Sequence, residues 1–231
     1  MSDTLAVNTV NLTKIYRMGP FEFPALKNVN LQVKRGEFSS IVGPSGSGKS
    51  TLLNMIGALD RPTSGHVYIG GVDIAGLNES QLADLRNQKI GFIFQAHNLI
   101  MRTSALRNVE LPLTVRGIPK NERIRKASEL LATVGLGNKI NRRPAEMSGG
   151  EQQRVAVARA LINEPTIILG DEPTGNLDSK TGAEVVDLMK RMNETLGITF
   201  ILVTHNPEVA NVTDRIIHLR DGQIHHEETV P

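Results

Sequence analysis

The sequence predicts an α/β domain: a mostly parallel core sheet covered on both faces and an inserted α-helical subdomain. Three observations carry this expectation. FSSIVG (38–43), IGFIF (90–94), TIILG (166–170) and ITFILV (198–203) are short, largely apolar runs without a polar face, the pattern of strands buried on both sides. Helical periodicities alternate with them, the rhythm of β-α-β units. From about 96 to 162 the pattern turns mostly helical, which marks the insertion. A core of 1–95 and 163–231 with a helical segment 96–162 is the expected organisation.

The chain has 231 residues, enough for one large domain or a domain with a subdomain. Hydrophobic residues make up 39% and charged residues 22%, an ordinary globular balance. The net charge of +2 is too mild to point to nucleic acid. The absence of cysteine excludes disulfides and thiolate metal sites, and fits a cytosolic setting. The opening MSDTLAVNTVNL has no basic region followed by an apolar run, so no signal peptide is expected. The apolar runs fall far short of the ~18 residues that cross a bilayer. Any membrane role must then pass through a partner.

The elements follow in order. Residues 5–10 and 26–33 alternate partially and read as strands. FSSIVG runs straight into GPSGSGKST (43–51). KSTLLNMIGAL (49–59) is a helix with Leu52, Leu53, Ile56 and Leu59 at helical spacing. DRPTSG (60–65) is a turn, VYIGG (67–71) a strand ending in a glycine turn, 79–88 a polar helix and 90–94 a buried strand. Helices are expected at 104–116, 120–134 and 148–162, punctuated by GLGN and RRPAE. The strand 166–170 precedes a helix, 181–196, with Val185, Leu188, Met189, Met192 and Leu196 on one face. A strand at 198–203, RIIHL (215–219) and a short strand near 223–225 complete the chain.

GPSGSGKS fits G-x-x-x-x-G-K-[ST], with a strand before it and a helix after it. Glycines let consecutive backbone N–H groups turn toward phosphate oxygens, and the helix start adds a favourable partial charge. In this pattern Lys49 reaches the β- and γ-phosphates and the Ser50 hydroxyl ligates Mg²⁺. The other strand ends carry polar groups too: Gln95 after 90–94, Asp171 and Glu172 after 166–170, Thr204 and His205 after 198–203. In open α/β sheets ligands bind outside the carboxyl ends of strands. Asp171 suits Mg²⁺, and Glu172 suits polarisation of an attacking water. An Asp–Glu pair before Pro173, taken alone, reads equally as a capping turn. Gln95 and His205, taken alone, are weak signals.

MSGGEQQRVAVARAL (147–161) raises a second question. Ser148 and Glu151 form a capping box, yet Gly149 and Gly150 cost a helix about 1 kcal/mol each relative to alanine. A helix start stripped of side chains suits a second phosphate contact.

Taken together, these motifs resemble the ATP-binding subunit of an ABC transporter over nearly the whole chain. The resemblance implies an ABC-type P-loop NTPase, with an N-terminal antiparallel β part beside the mostly parallel core sheet, that binds ATP and Mg²⁺. It assigns Gly43, Pro44, Ser45, Gly46, Ser47, Gly48, Lys49, Ser50 and Thr51 to the nucleotide phosphates, with Gln95 and His205 beside them. Ser50, Gln95 and Asp171 are assigned to the metal, and Glu172, His205 and Lys49 to catalysis. Tyr16 fits the position that stacks an aromatic ring on adenine, although packing within a strand also explains it. The family pairs two such domains head to tail, so Ser148, Gly149 and Gly150 would serve the partner copy's nucleotide. Asp178 would lie at the seam. Met147 and Gly170 depart from the usual Leu and Ala, and Gly170 is expected to loosen its strand end.

FIFQAHNLI, NVELPL and DEPTGNLDSKTG resemble the group of lipoprotein-releasing, macrolide-efflux and cell-division ABC subunits. That resemblance implies a separate transmembrane permease, and a cytoplasmic location peripheral to the inner face of the membrane, with membrane contact only through the permease. The coupling surface is expected near Gln95 and residues 96–110, where Leu99, Ile100 and Met101 form an apolar patch. A solute importer shares every motif. A soluble ABC ATPase acting on ribosomes or DNA is disfavoured, because there is one such domain and no heptad tract; no nucleic acid is expected. The basic run KNERIRK (120–126) reads most simply as a solvated helix face, since it carries both signs of charge.

Overall fold

A computed structural model describes residues 4–230; Met1 to Asp3 and Pro231, the ends of the expected domain range, lie outside the described residues. The strands are β1 (Leu5–Met18), β2 (Phe21–Lys34), β3 (Phe38–Val42), β4 (Ser64–Ile69), β5 (Val72–Asp73), β6 (Ile90–Phe94), β7 (Ile167–Asp171), β8 (Thr199–Val203), β9 (Arg215–Arg220) and β10 (Gln223–Thr229). The helices are α1 (Lys49–Ile56), α2 (Glu79–Lys89), α3 (Ala105–Val115), α4 (Lys120–Thr133), α5 (Gly149–Leu161), α6 (Ser179–Leu196) and α7 (Pro207–Ala210).

One sheet has the order β10-β9-β3-β8-β7-β6. The five strands from β9 to β6 are parallel, and β10 closes one edge antiparallel to β9. The second sheet, β2-β1-β4-β5, is antiparallel throughout.

The large sheet divides two cores, and this explains its continuously apolar strands. Along β7 and β8, Ile167, Leu169, Ile201 and Val203 face the antiparallel sheet, α1 and α2. The intervening Ile168, Phe200 and Leu202 face α3, α4, α5 and α6. Alternate residues are buried on opposite sides, so no polar face remains. Helix α5 packs on β6 as well as on α3 and α4. A methyl at Gly91 would meet the Ala160 carbonyl oxygen at 2.5 Å, so glycine allows that close approach. The helical segment therefore shares its apolar core with one face of the sheet.

The structure departs from the sequence reading at several edges. β1 and β2 continue to Met18 and begin at Phe21, well beyond 5–10 and 26–33. Their pairing shifts register repeatedly between Thr9 and Ile15, which erases the two-residue alternation that reveals a strand. Asn11 and Asn28 take positive φ there, a conformation asparagine tolerates. Helix α1 stops at Ile56; Ala58 is left-handed at φ 51°, and Leu59 turns to solvent rather than joining the buried stripe. Leu196, placed on the buried face of its helix, is also exposed. Ser64 and Gly65, read as turn, begin β4. The two-residue β5 and one-turn α7 are too short to leave a periodicity.

Candidate functional site

Register brings the polar strand ends together. Phe94 pairs with Asp171, Asp171 with Val203, and Val203 with Ile41, so β6, β7, β8 and β3 finish level with one another. Gln95, Glu172, Thr204 and the loop after Val42 therefore leave the sheet side by side.

The loop from Gly43 to Gly48 is shaped by its surroundings. Gly48 is left-handed at φ 102° and gives α1 no side-chain cap, so the first N–H groups of the helix are left to a ligand. A Cβ at Gly48 would stand 2.6 Å from the Ala25 carbonyl oxygen, and one at Gly43 2.1 Å from that of Leu219. Strands β2 and β9 thus press the loop from two sides. Lys49 Nζ donates to the carbonyl oxygens of Gly43 at 2.8 Å and Pro44 at 2.9 Å, placing its charge over the loop. The Ser47 hydroxyl is buried without a hydrogen-bond partner among the described residues, a defect of about 1–3 kcal/mol of the kind that persists at functional sites. Pro44, Ser45 and Gly46 form the crest, and Ser50 and Thr51 stand in the first turn of α1.

Asp171 is half-buried at the end of β7. Burial and the adjacent Glu172 push its carboxyl above the usual range, while Lys49 opposes them. A divalent cation would reverse that shift. The Asp171 carboxylate, the Ser50 hydroxyl and the Gln95 amide oxygen are hard oxygen donors of the kind Mg²⁺ takes. Gln95 Nε2 donates to Asn176 Oδ1 at 3.1 Å, and Asn176 Nδ2 returns a bond to the Gln95 carbonyl at 3.0 Å. The amide donor is thus spent on Asn176 while Oε1 keeps its acceptor capacity.

Glu172 adopts φ 46°, which costs a non-glycine residue about 1–3 kcal/mol. Its N–H bonds the Val203 carbonyl at 2.9 Å, and its Oε1 lies 2.7 Å from His205 Nδ1. The structure therefore joins the two groups that the sequence places 33 residues apart. Tyr16 is half-buried. Its hydroxyl donates to Asp60 Oδ2 at 3.1 Å, and Lys14 Nζ stands 4.9 Å from its ring centroid. Asp60 and Lys14, which fix this ring, carried no sequence signal.

The Ser148 head of α5 lies elsewhere. Ser148 Oγ accepts from Glu151 N–H at 3.3 Å, and Glu151 Oε2 accepts from Ser148 N–H at 3.0 Å, completing the expected capping box. The neighbours of Gly149 and Gly150 are Leu177 and Thr181, whereas those of the phosphate loop are Ala25, Leu219 and Gly222. A methyl on Gly150 would come within 2.3 Å of Thr181 Cγ2. Close packing on Thr181 of α6 thus gives one of the two glycines a role besides any ligand contact, which the sequence argument did not foresee. Gly170 also differs from expectation. The methyl it lacks would meet Leu202 Cδ2 at 2.6 Å, so the core already fills that space and the strand end is not loosened.

A family model described as ABC transporter matches residues 26–175. The chain belongs to the ABC transporter family. It is 52% identical over 94% of its length to the ABC transporter ATP-binding protein MJ0796 of Methanocaldococcus jannaschii, covering 94% of that relative. A solved dimeric structure of MJ0796, in a post-hydrolysis state bound to ADP and Pi, superposes with a TM-score of 0.88 at 50% identity, covering 97% of this chain and 99% of that one. The lipoprotein-releasing system ATP-binding protein LolD of Geobacter metallireducens is 47% identical over 97% of the chain and 99% of its own length. The macrolide export ATP-binding/permease protein MacB of Syntrophobacter fumaroxidans is 48% identical over 94% of the chain, which spans only 31% of that longer protein. As an ABC ATPase, the chain binds and hydrolyses ATP with Mg²⁺. Among the described residues no helix is long and apolar enough to cross a membrane.

Proposed function

We propose that this ABC ATPase powers a separate transmembrane permease of the lipoprotein-releasing or macrolide-efflux type from the cytoplasmic face of the membrane. It would do so by closing on a second copy of itself around ATP. The observation that carries this reading is the placement of two glycine-bearing helix starts, at Gly48 and Ser148, among different neighbours. One half of a phosphate site stands at the carboxyl end of β3, and the other at the start of α5 beside Leu177 and Thr181. A head-to-tail pair of copies completes each half with the other.

Within one site the chain's groups take distinct parts. The loop 43–48 and the start of α1 hold the phosphates, and Lys49 compensates their charge. Tyr16, held by Asp60, offers its ring to adenine. Ser50, Asp171 and Gln95 would hold Mg²⁺, which would neutralise charge on the β- and γ-phosphates. Glu172 accepts a proton from the attacking water, and His205 keeps its carboxylate oriented. Gly149 and Gly150 present N–H groups, and Ser148 its hydroxyl, to the partner copy's γ-phosphate, and Asp178, which caps α6 by accepting from Thr181 N–H at 3.0 Å, sits at the seam.

A groove of about 460 Å³ lined by Leu59, Phe92, Phe94, Pro112 and Val115 supports permease docking. Val115 and Leu59 are exposed large apolar residues there, and such surfaces mark partner contacts. The groove reaches Asn98 but centres beside, rather than on, residues 96–110. The basic run on α4 supports no lipid contact: Arg125 pairs with Glu129 and Lys126 with Glu164.

Glu172→Gln, purified with ATP from its native cells, tests the proposal. One membrane protein is expected in the complex, identified by mass spectrometry. Recovery of ribosomes or DNA-repair factors with no membrane protein would overturn the permease reading and leave the ATP site intact.

A further inference from the structure

The last hairpin gathers side chains that the nucleotide site does not use. Pairing between β9 and β10 shifts register between Ile224 and His226. Ile224 faces Leu219 and packs on the core beneath the sheet. Regular alternation would send His226, two residues on, to that same face. The extra residue, His225, turns it to the opposite side, where it pairs with His218. Glu228, two residues beyond His226, follows onto the same face. A β-bulge is a device that re-aims side chains in this way.

The result is a compact donor set. One ligand atom each from His218, His226 and Glu228 lies within 4.8 Å of the others. The two imidazole rings stack at 3.9 Å between centroids and 14° between planes. His218 Nε2 stands 3.0 Å from Glu228 Oε1. His225 Nδ1 lies 3.0 Å from His226 Nδ1, which leaves Nε2 of His226 as its ligating atom. That contact is the outer hydrogen bond that orients a metal-binding imidazole.

From this geometry we propose that His218, His226 and Glu228 bind a divalent transition-metal ion of the zinc class. Two imidazole nitrogens and one carboxylate oxygen are the donors that such ions select, with further positions open to water. Ligands around tetrahedral zinc stand roughly 3.3 Å apart at its usual bond lengths, so binding requires the two rings to turn out of their stack and aim their nitrogens at one ion. Mg²⁺, which prefers all-oxygen shells, does not compete. The bound ion ties the edge strand β10 to β9. This site is independent of the roles assigned at the nucleotide.

The test is calorimetric titration of the full chain, prepared without a polyhistidine tag, with zinc chloride in excess Mg²⁺. One equivalent is expected to bind. His226→Asn and Glu228→Gln should each weaken binding at least about tenfold, the loss that even outer-sphere partners of a metal cause. His66→Asn, on β4, should leave it unchanged. Cobalt(II), titrated in parallel, should give visible absorption that His226→Asn removes. Glu228 is half exposed on an edge strand, and an unchanged ATPase rate in Glu228→Gln verifies its fold. No zinc binding by the unsubstituted chain, or binding that survives both substitutions, overturns the proposal.

Discussion

Glu172 shows most directly how one residue couples fold to chemistry. Its left-handed backbone, its N–H bond to Val203 and its contact with His205 fix one carboxylate at the end of β7. Glu172→Gln keeps the size and the strain but cannot take a proton. ATP hydrolysis should fall by about 10²–10⁴-fold, the usual weight of a general base, while nucleotide binding persists; steady-state turnover and fluorescent-ATP affinity measure the two. Gly150 makes a different residue-scale point. Gly150→Ala drives a methyl against Thr181, and overpacking of this kind costs about 1–3 kcal/mol. Urea denaturation should register that loss, and Thr181→Ser in the same chain should recover most of it. Unchanged stability in Gly150→Ala would return the glycine to a purely ligand-binding role.

Among the elements, α5 is the clearest case of local sequence deciding local structure. Ser148 and Glu151 form the capping box that their spacing predicts. Lys139 then pairs with Glu151, and that ion pair, followed by the Ser148 N–H bond, holds the carboxyl below its ordinary value of 4.5. A depressed carboxylate stabilises the fold above its unfolded pKa and loses that contribution as pH falls through the folded one. Glu151→Gln should therefore be less stable than the parent near neutrality, with the difference starting to shrink near pH 4.5 and vanishing only once pH falls below the lower folded value. Urea midpoints of both proteins across that range measure it. Ser148→Ala removes the cap and should cost about 1 kcal/mol. β1 and β2 show the reverse case: bulges between Thr9 and Ile15 leave no readable period, so only the pairing itself reveals how far the strands run.

At the scale of the whole molecule, the two cores on either side of the large sheet fix both the site and the surface beside it. The groove at Leu59, Phe92 and Val115 draws on β6, α3 and the turn after α1. Val115→Glu places a charge on this exposed apolar rim. Co-purification of the membrane partner should be lost while ATP hydrolysis by the isolated chain is unchanged. Equal recovery of the partner would move the docking surface elsewhere.

The sequence by itself determined the α/β class, the order of most elements, the phosphate loop and the polar residues at each strand end. These are short-range patterns, in which a strand buried on both sides leaves an apolar run and a phosphate loop leaves fixed glycine spacing. Tertiary structure decided which of those strand ends stand level, that Glu172 meets His205 and Gln95 meets Asn176, that Gly150 packs on Thr181, and that Leu202 fills the space over Gly170. It also decided that His225 turns His226 onto the face of His218. Each of these depends on register or packing between segments distant in the chain, and a single-residue shift of register moves a side chain to the opposite face without altering the local pattern.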